Sequence, residues 1–175
     1  SEDSLGHVDI RQLYPGSPRP LRWNILQVPK RIEPGRYRSM VAELFANAGR
    51  MGARQLGFMR RALTELYYEA GVLTGDPKLQ NGPLGHLQDE HEVELIRNER
   101  QILGEDLNDL HPGTLLESLS PSELQALAVY RSRKLDVSKW VNRLRTYKEK
   151  LERDQVSRPS LEGVLLRLEQ FSEGH

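Results

Sequence analysis

The chain has 175 residues, with 25 basic and 25 acidic side chains, five histidines and no cysteine. That length suits one domain, or a domain with a small appendage, and 37% hydrophobic content supports a core only if the apolar residues gather on helix faces. The absence of cysteine excludes disulfides and thiolate metal sites, and zero net charge argues against a dedicated nucleic-acid binder while leaving room for a local basic patch.

Residues 1–36 carry Pro15, Pro18, Pro20, Pro29 and Pro34 together with Gly6, Gly16 and Gly35, a density that forbids a long helix. Two runs read as short strands: His7–Leu13, with Val8 and Ile10 on one face, and Leu21–Val28, around Trp23 and Ile25. Two strands make no stable sheet alone. They are expected either to pack on the helices or to belong to a sheet completed elsewhere. Residues 1–33 are therefore read as an extended N-terminal segment with one or two short strands, and 34–175 as a helical domain.

A first helix starts near Pro34, a residue suited to a first turn. Tyr37, Met40, Val41, Leu44, Phe45 and Ala48 recur at helical spacing until Gly49 and Gly52. A second runs from about Ala53, with Leu56, Met59, Leu63, Leu66, Tyr67 and Ala70 on one face, and stops at Gly71. The two stripes should face each other as a helical hairpin.

Residues 71–85 read as a loop full of breakers, followed by a third helix over roughly Leu87 to Leu103. Its inward side would hold Leu87, Leu95, Ile96, Ile102 and Leu103, and its exposed side the acids Asp89, Glu90, Glu92, Glu94 and Glu99. A connector follows, with a short helical piece around Leu115–Leu119.

Ser120-Pro121-Ser122-Glu123 is a capping box with proline in the first turn. It opens a helix carried by Leu124, Leu127, Ala128 and Arg131 to about Lys134. Asp136 opens the next, where Val137, Trp140, Val141, Leu144, Tyr147 and Leu151 keep near-heptad spacing, read as core, with a partner seam as the alternative. Arg158-Pro159-Ser160 starts a last helix bearing Leu161, Val164, Leu165, Leu168 and Phe171. The fold class is mainly α: a bundle of about six helices with a short extended N-terminal segment.

No apolar run reaches the roughly 18–20 residues that span a bilayer, and no signal-peptide pattern opens the chain, so a soluble, cytoplasmic protein is expected. Chemistry-bearing motifs are sparse. His86 and His91 flank Asp89 and Glu90, but a spacing of five turns the two imidazoles away from each other on a helix, unlike H-E-x-x-H. Neither a Gly-x-Ser-x-Gly elbow nor a Gly-rich phosphate loop occurs. Gly49-Arg50-Met51-Gly52 matches the Gly-x-x-Gly clamp of single-strand RNA-binding modules, yet lacks the strands that clamp needs and reads as an interhelical turn.

Basic clusters are the stronger signal. Arg22, Lys30, Arg31, Arg36, Arg38, Arg50, Arg54, Arg60 and Arg61 are opposed only by Glu33 and Glu43. A second stretch holds Arg131, Arg133, Lys134, Lys139, Arg143, Arg145, Lys148, Lys150 and Arg153. These residues could be plain solvated helix faces, contacts to phosphates, or a surface that meets the acidic third helix of the same domain or of a neighbouring subunit. Arg50, Arg54, Arg60, Arg61, Lys139 and Arg143 are the candidate nucleic-acid or subunit contacts. No catalytic, cofactor-binding or metal-ligating residue is assigned.

Taken in order, several segments resemble a known family. Pro20-Leu21-Arg22-Trp23-Asn24 leads through Pro29 to Ile32-Glu33-Pro34-Gly35-Arg36-Tyr37, and a helix then runs into Leu56-Gly57-Phe58-Met59-Arg60-Arg61-Ala62-Leu63-Thr64-Glu65-Leu66-Tyr67-Tyr68. This order resembles the interior of P-loop DNA-translocating ATPases of the HerA/FtsK group, which includes the conjugative and type IV secretion ATPases. Their "P-L-x-x-N-P-L" strand end leads to an "x-A-L-x-E-L-Y" helix and later to "P-T-L-x-D-L", where Pro159-Ser160-Leu161-Glu162-Gly163-Val164 stands here. The family's Asn-Pro is Asn24-Ile25 in this chain, and its late Asp is Gly163.

The resemblance implies a helical subdomain of such a motor, serving subunit assembly, partner docking or DNA guidance. The phosphate loop, the acidic strand and any arginine finger would lie outside this chain. ATP and Mg would then belong to the parent protein, and no activity is expected from these residues alone. Other domains or subunits of the same ATPase would be its partners, with a separate protein partner or DNA also open. The alternative is a free-standing helical protein–protein interaction module.

Overall fold

A computed structural model describes residues 24–104, 109–154 and 158–172, and their side chains except those of 151–154 and 158–160. The predicted strand His7–Leu13 lies outside the described residues. Among the described residues there are seven α-helices, one 3-10 turn and no strand. The fold is mainly α, as the periodicity indicates.

Where a second strand was expected, residues 24–32 form a turn-rich arm laid on the bundle. The Asn24 side chain accepts from Leu26 N at 3.1 Å, and Gln27 N reaches Asn24 O at 3.0 Å. The arm's polar groups are met by side chains rather than by a neighbouring strand. Tyr37 and Tyr67 donate their hydroxyls to Ile25 O and Leu26 O, each at 2.8 Å. Val28 N donates to Ser132 Oγ at 2.9 Å, and Gln125 Nε2 serves both Pro29 O and Ile32 O at 2.9 Å. With Ile25, Leu26 and Val28 buried between these anchors, the arm is part of the core.

Helix α1 (Pro34–Ala48) begins where Glu33 accepts from Gly35 N and Arg36 N, each at 2.7 Å, satisfying amides that have no partner within the helix. Helix α2 (Ala53–Glu69) returns against it, so the expected hairpin is present. The left-handed residue in the connecting turn is Arg50, at φ +51°, rather than either glycine.

Gly71 ends α2 at φ +69°, and a Cβ there would lie 2.6 Å from Arg131 Nη1. Glycine is required at this position for both reasons. The predicted loop then contains a short helix α3 (Pro77–Gln80), started by Asp76 accepting from Lys78 N.

Helix α4 (Glu90–Leu103) begins three residues later than expected, with Asp89 as its cap. Leu87 is buried but not helical, because its backbone pairs with Gly113 N and Thr114 O beside the His86–Leu115 bridge. Two of the residues expected inward are outward: Ile102 is 79% exposed and Leu103 53%. The partner helix accounts for this. Arg100 of α4 already meets Glu123 in the first turn of α5, so the last turn of α4 overhangs.

A 3-10 turn (Leu116–Ser118) leads to α5 (Pro121–Ser132), with both bonds of the Ser120–Glu123 capping box formed. Leu135 N bonds to Ser132 O and stops α5 short of Lys134. Asp136 caps α6 (Val137–Asp154), which forms a hairpin with α7 (Arg158–Ser172).

The α1–α2 and α6–α7 hairpins pack through α2, with α4–α5 as a further pair. Trp140, Val141, Leu144 and Tyr147 are buried in this packing, with Val137 partly buried, so this part of the near-heptad stripe of α6 is core, while the Leu151 side chain lies outside those described. Phe45 takes edge-on contacts from Trp140 at 5.3 Å and Phe171 at 5.2 Å, and Trp140 Nε1 donates to Met59 O at 3.2 Å. The indole gains an aromatic neighbour and a satisfied polar end. No helix among the described residues is long and apolar enough to cross a membrane.

Candidate functional site

The six candidate contact residues differ in what they meet. Arg50 and Arg54 are exposed at the α1–α2 turn. Arg60 is ion-paired with Glu43 of α1. Arg61 lies 3.3 Å from Glu65 and 5.4 Å from the centre of the Tyr147 ring. Arg143 bridges from α6 to Glu65 at 3.7 Å and also to Glu69. Lys139 is exposed in the first turn of α6, its ammonium on the Lys134 carbonyl.

Three of these cations are thus matched by α1 and α2 carboxylates. Arg61, Arg143, Glu65 and Glu69 together form a charge-balanced seam joining α2 to α6. Beside it, the Tyr147 hydroxyl is pushed above the ordinary phenol range, first by burial and then by Glu65. Across the α6–α7 hairpin, Arg145 pairs with Glu169 at 2.8 Å and Lys148 with Glu162 at 3.8 Å. The same side chains line an open cleft of about 520 Å³ with Leu165 and Leu166. That cleft offers alternating charges without a convergent acid–base pair.

A different charged site is fully internal. Glu92, expected on the solvated acidic face of α4, is only 4% exposed, and Arg131 of α5 only 5%. Arg131 Nε and Nη2 grip the two Glu92 oxygens at 2.7 and 2.8 Å. Its remaining N–H groups go to Gly71 O and Leu84 O at 3.1 Å and to His86 O at 3.0 Å. All five guanidinium donors are used. Gln88 N donates to Glu92 Oε2 at 2.8 Å, so the carboxylate too has a second partner. One ion pair therefore ties α4, α5, the end of α2 and the 84–88 connector.

A sequence signal for this pair existed. Arg131 falls on the apolar stripe of Leu124, Leu127 and Ala128, and Glu92 adjoins buried Val93 and lies one turn before buried Ile96. Of the three readings open for the basic stretches, the meeting with the acidic third helix of the same domain applies at Arg131.

Among the described residues, no three His, Asp or Glu side chains come together in a way that could hold a metal ion. His91 is exposed on α4, and His86 turns Nδ1 to Leu87 O at 3.0 Å. The Tyr68 hydroxyl donates to Asp76, and that bond holds the Asp76 carboxyl below its usual range while Asp76 also caps α3. It is a structural clasp on the predicted loop. Comparison of the chain with known protein families, with curated proteins and with solved structures found no match.

Proposed function

We propose that this chain is a helical subdomain of a P-loop DNA-translocating ATPase of the HerA/FtsK type, carrying no nucleotide site of its own and serving as a rigid body for subunit assembly, partner docking or DNA guidance. One observation supports this reading above the others. Parts of the chain that the resemblance orders in sequence meet in space: Tyr67, which ends the Ala62-Leu63-Thr64-Glu65-Leu66-Tyr67 run of α2, donates to Leu26 O, in the arm between Asn24 and Pro29. The later segment fits the same arrangement, since α7 packs on α2 and its Leu161 and Val164 are fully buried.

The arm docks on α1 through Tyr37, and the last helix docks on α1 through Phe171 and Phe45. Contacts at both places suit a body that passes force or position between its ends. The alternative, a free-standing interaction module, draws on the adjacent exposed Ile102 and Leu103, since exposed apolar side chains suit a protein partner.

The test is the coding sequence on either side, followed by an assay. The reading expects a Gly-Lys-Ser/Thr loop upstream and an acidic strand downstream in the same frame. ATP hydrolysis is then expected in the full protein and lost in the 175-residue chain. A reading frame confined to these residues, purified from its host without an ATPase, overturns the motor reading and leaves the interaction module.

A further inference from the structure

We infer that two adjacent cationic β-turns, Pro29–Ile32 and Ser132–Leu135, form a docking surface for the phosphate backbone of duplex nucleic acid. Each turn is closed by one backbone bond, Ile32 N to Pro29 O at 3.3 Å and Leu135 N to Ser132 O at 3.1 Å. Each presents a basic pair at its two central residues, Lys30-Arg31 and Arg133-Lys134, and all four side chains are exposed. The turns are held side by side. Val28 N, just before the first turn, is bonded to Ser132 Oγ at the start of the second, and Asn24 Nδ2 reaches Arg133 O at 3.4 Å. Gln125 fixes the first turn from beneath through Pro29 O and Ile32 O. Lys139, resting on Lys134 O, adds a fifth exposed cation.

Among the described residues this cluster, unlike the α2–α6 seam, is uncompensated. None of the five forms an ion pair with another described residue, whereas Arg60, Arg61 and Arg143 all do. The acids nearest in sequence are committed elsewhere: Glu33 caps α1 with both oxygens, and Asp136 accepts from Lys139 N at 2.9 Å as the cap of α6. Their charges sit at helix N-termini, whose dipoles oppose them.

Chemistry selects the partner. Among the described residues the exposed large apolar side chains, Met40, Ile102, Leu103, Leu115 and Leu166, all lie outside the two turns, which therefore present cations without the apolar anchor on which protein interfaces depend. Tyr130 is half-buried and already carries Arg133 over its ring, 6.0 Å from the centre, which suits it poorly to stacking a base. Exposed cations carried on hydrogen-bonded turns suit a polyanion of high charge density, bound through counterion release.

The experiment is fluorescence anisotropy of labelled duplex DNA with the whole chain between about 50 and 200 mM salt. Five phosphate contacts predict a slope of log affinity against log salt of about −4 to −5. Lys30→Gln with Arg31→Gln should flatten that slope by roughly two, and so should Arg133→Gln with Lys134→Gln. Charge reversal of either pair should weaken binding at low salt by roughly tenfold or more. Arg60→Glu with Arg61→Glu should leave affinity within about twofold, because those side chains are neutralised within the fold. Circular dichroism and melting of each variant separate lost contact from lost structure.

Absence of binding at low salt overturns the inference. So does binding lost in the Arg60/Arg61 variant but kept in the turn variants, or equal competition by poly-glutamate at matched charge, which would mark an acidic-protein site. The inference stands whether or not a motor flanks the chain, and its failure would remove only the DNA-guidance role from the proposed function, leaving subunit assembly and partner docking.

Discussion

Two ion-paired arginines on neighbouring helices have opposite physical meanings. Arg131 is 5% exposed and closes five hydrogen bonds around Glu92, whereas the Arg143 side chain is 27% exposed and shares two carboxylates that water also reaches. Both stand in the same basic stretch of sequence, and both have acidic partners far along the chain. The buried pair has given up its hydration and must keep every bond it replaced it with. The exposed pair has surrendered little and gains little. Charge in a sequence therefore does not report its own energetic weight, which is set by what surrounds it.

The largest effect expected from this contrast is at Arg131. Arg131→Ala leaves Glu92 charged and buried and three carbonyls without their donor, and should lower unfolding free energy by about 3–5 kcal/mol in urea titrations. Adding Glu92→Gln should restore part of that loss. If the single variant melts like the parent, the pair is not the tie between α4 and α5 that its geometry indicates.

Next in size is the arm. Tyr67→Phe removes the hydroxyl from a buried carbonyl and should cost about 1–3 kcal/mol. The same clasp predicts alkaline sensitivity. Burial pushes the Tyr37 phenol up to about 12 from 10.0, and Tyr67 moves in the same direction. Above the unfolded value the unfolded chain sheds protons that the folded chain keeps. Stability should therefore be complete below about pH 10 and decline toward about pH 12. Denaturation midpoints measured across that window should fall, and Tyr37→Phe should flatten the fall. A flat profile in the parent would separate the tyrosines from the arm.

Smaller effects complete the series. Ser120→Ala breaks the capping box of α5 and should cost about 1 kcal/mol. Arg143→Ala should cost less than about 1 kcal/mol, and that difference should vanish at high salt. A cost near that of Arg131→Ala would show the seam to be far drier than its exposure implies.

Much of the helical architecture was legible in the chain itself. The α1–α2 hairpin, the Ser120 start of α5, the Asp136 start of α6 and the Arg158 start of α7 all rest on local rules: apolar spacing, proline in a first turn, and side chains that accept from orphan amides. Local rules also had a signal for α3, whose Asp76-Pro77 start was hidden among glycines. Of the expected strand Leu21–Val28, the described part from Asn24 on is turn rather than strand, because apolar residues suit any buried extended chain; whether neighbouring backbone or distant side chains meet its polar groups is not encoded locally.

The candidate contacts divide along the same line. The sequence determined that cations are plentiful between Arg22 and Arg61 and again between Arg131 and Arg153. The Arg61–Glu65 pair is one helical turn apart and readable in the sequence, but only tertiary structure decided that Arg60 and Arg143 meet carboxylates, that Arg131 goes inside, and that the Lys30-Arg31 and Arg133-Lys134 turns come together through Val28 and Ser132. Capping and periodicity act within a few residues of chain, so the sequence carries them. Neutralisation and burial depend on residues tens of positions away, which only the packed fold brings within reach.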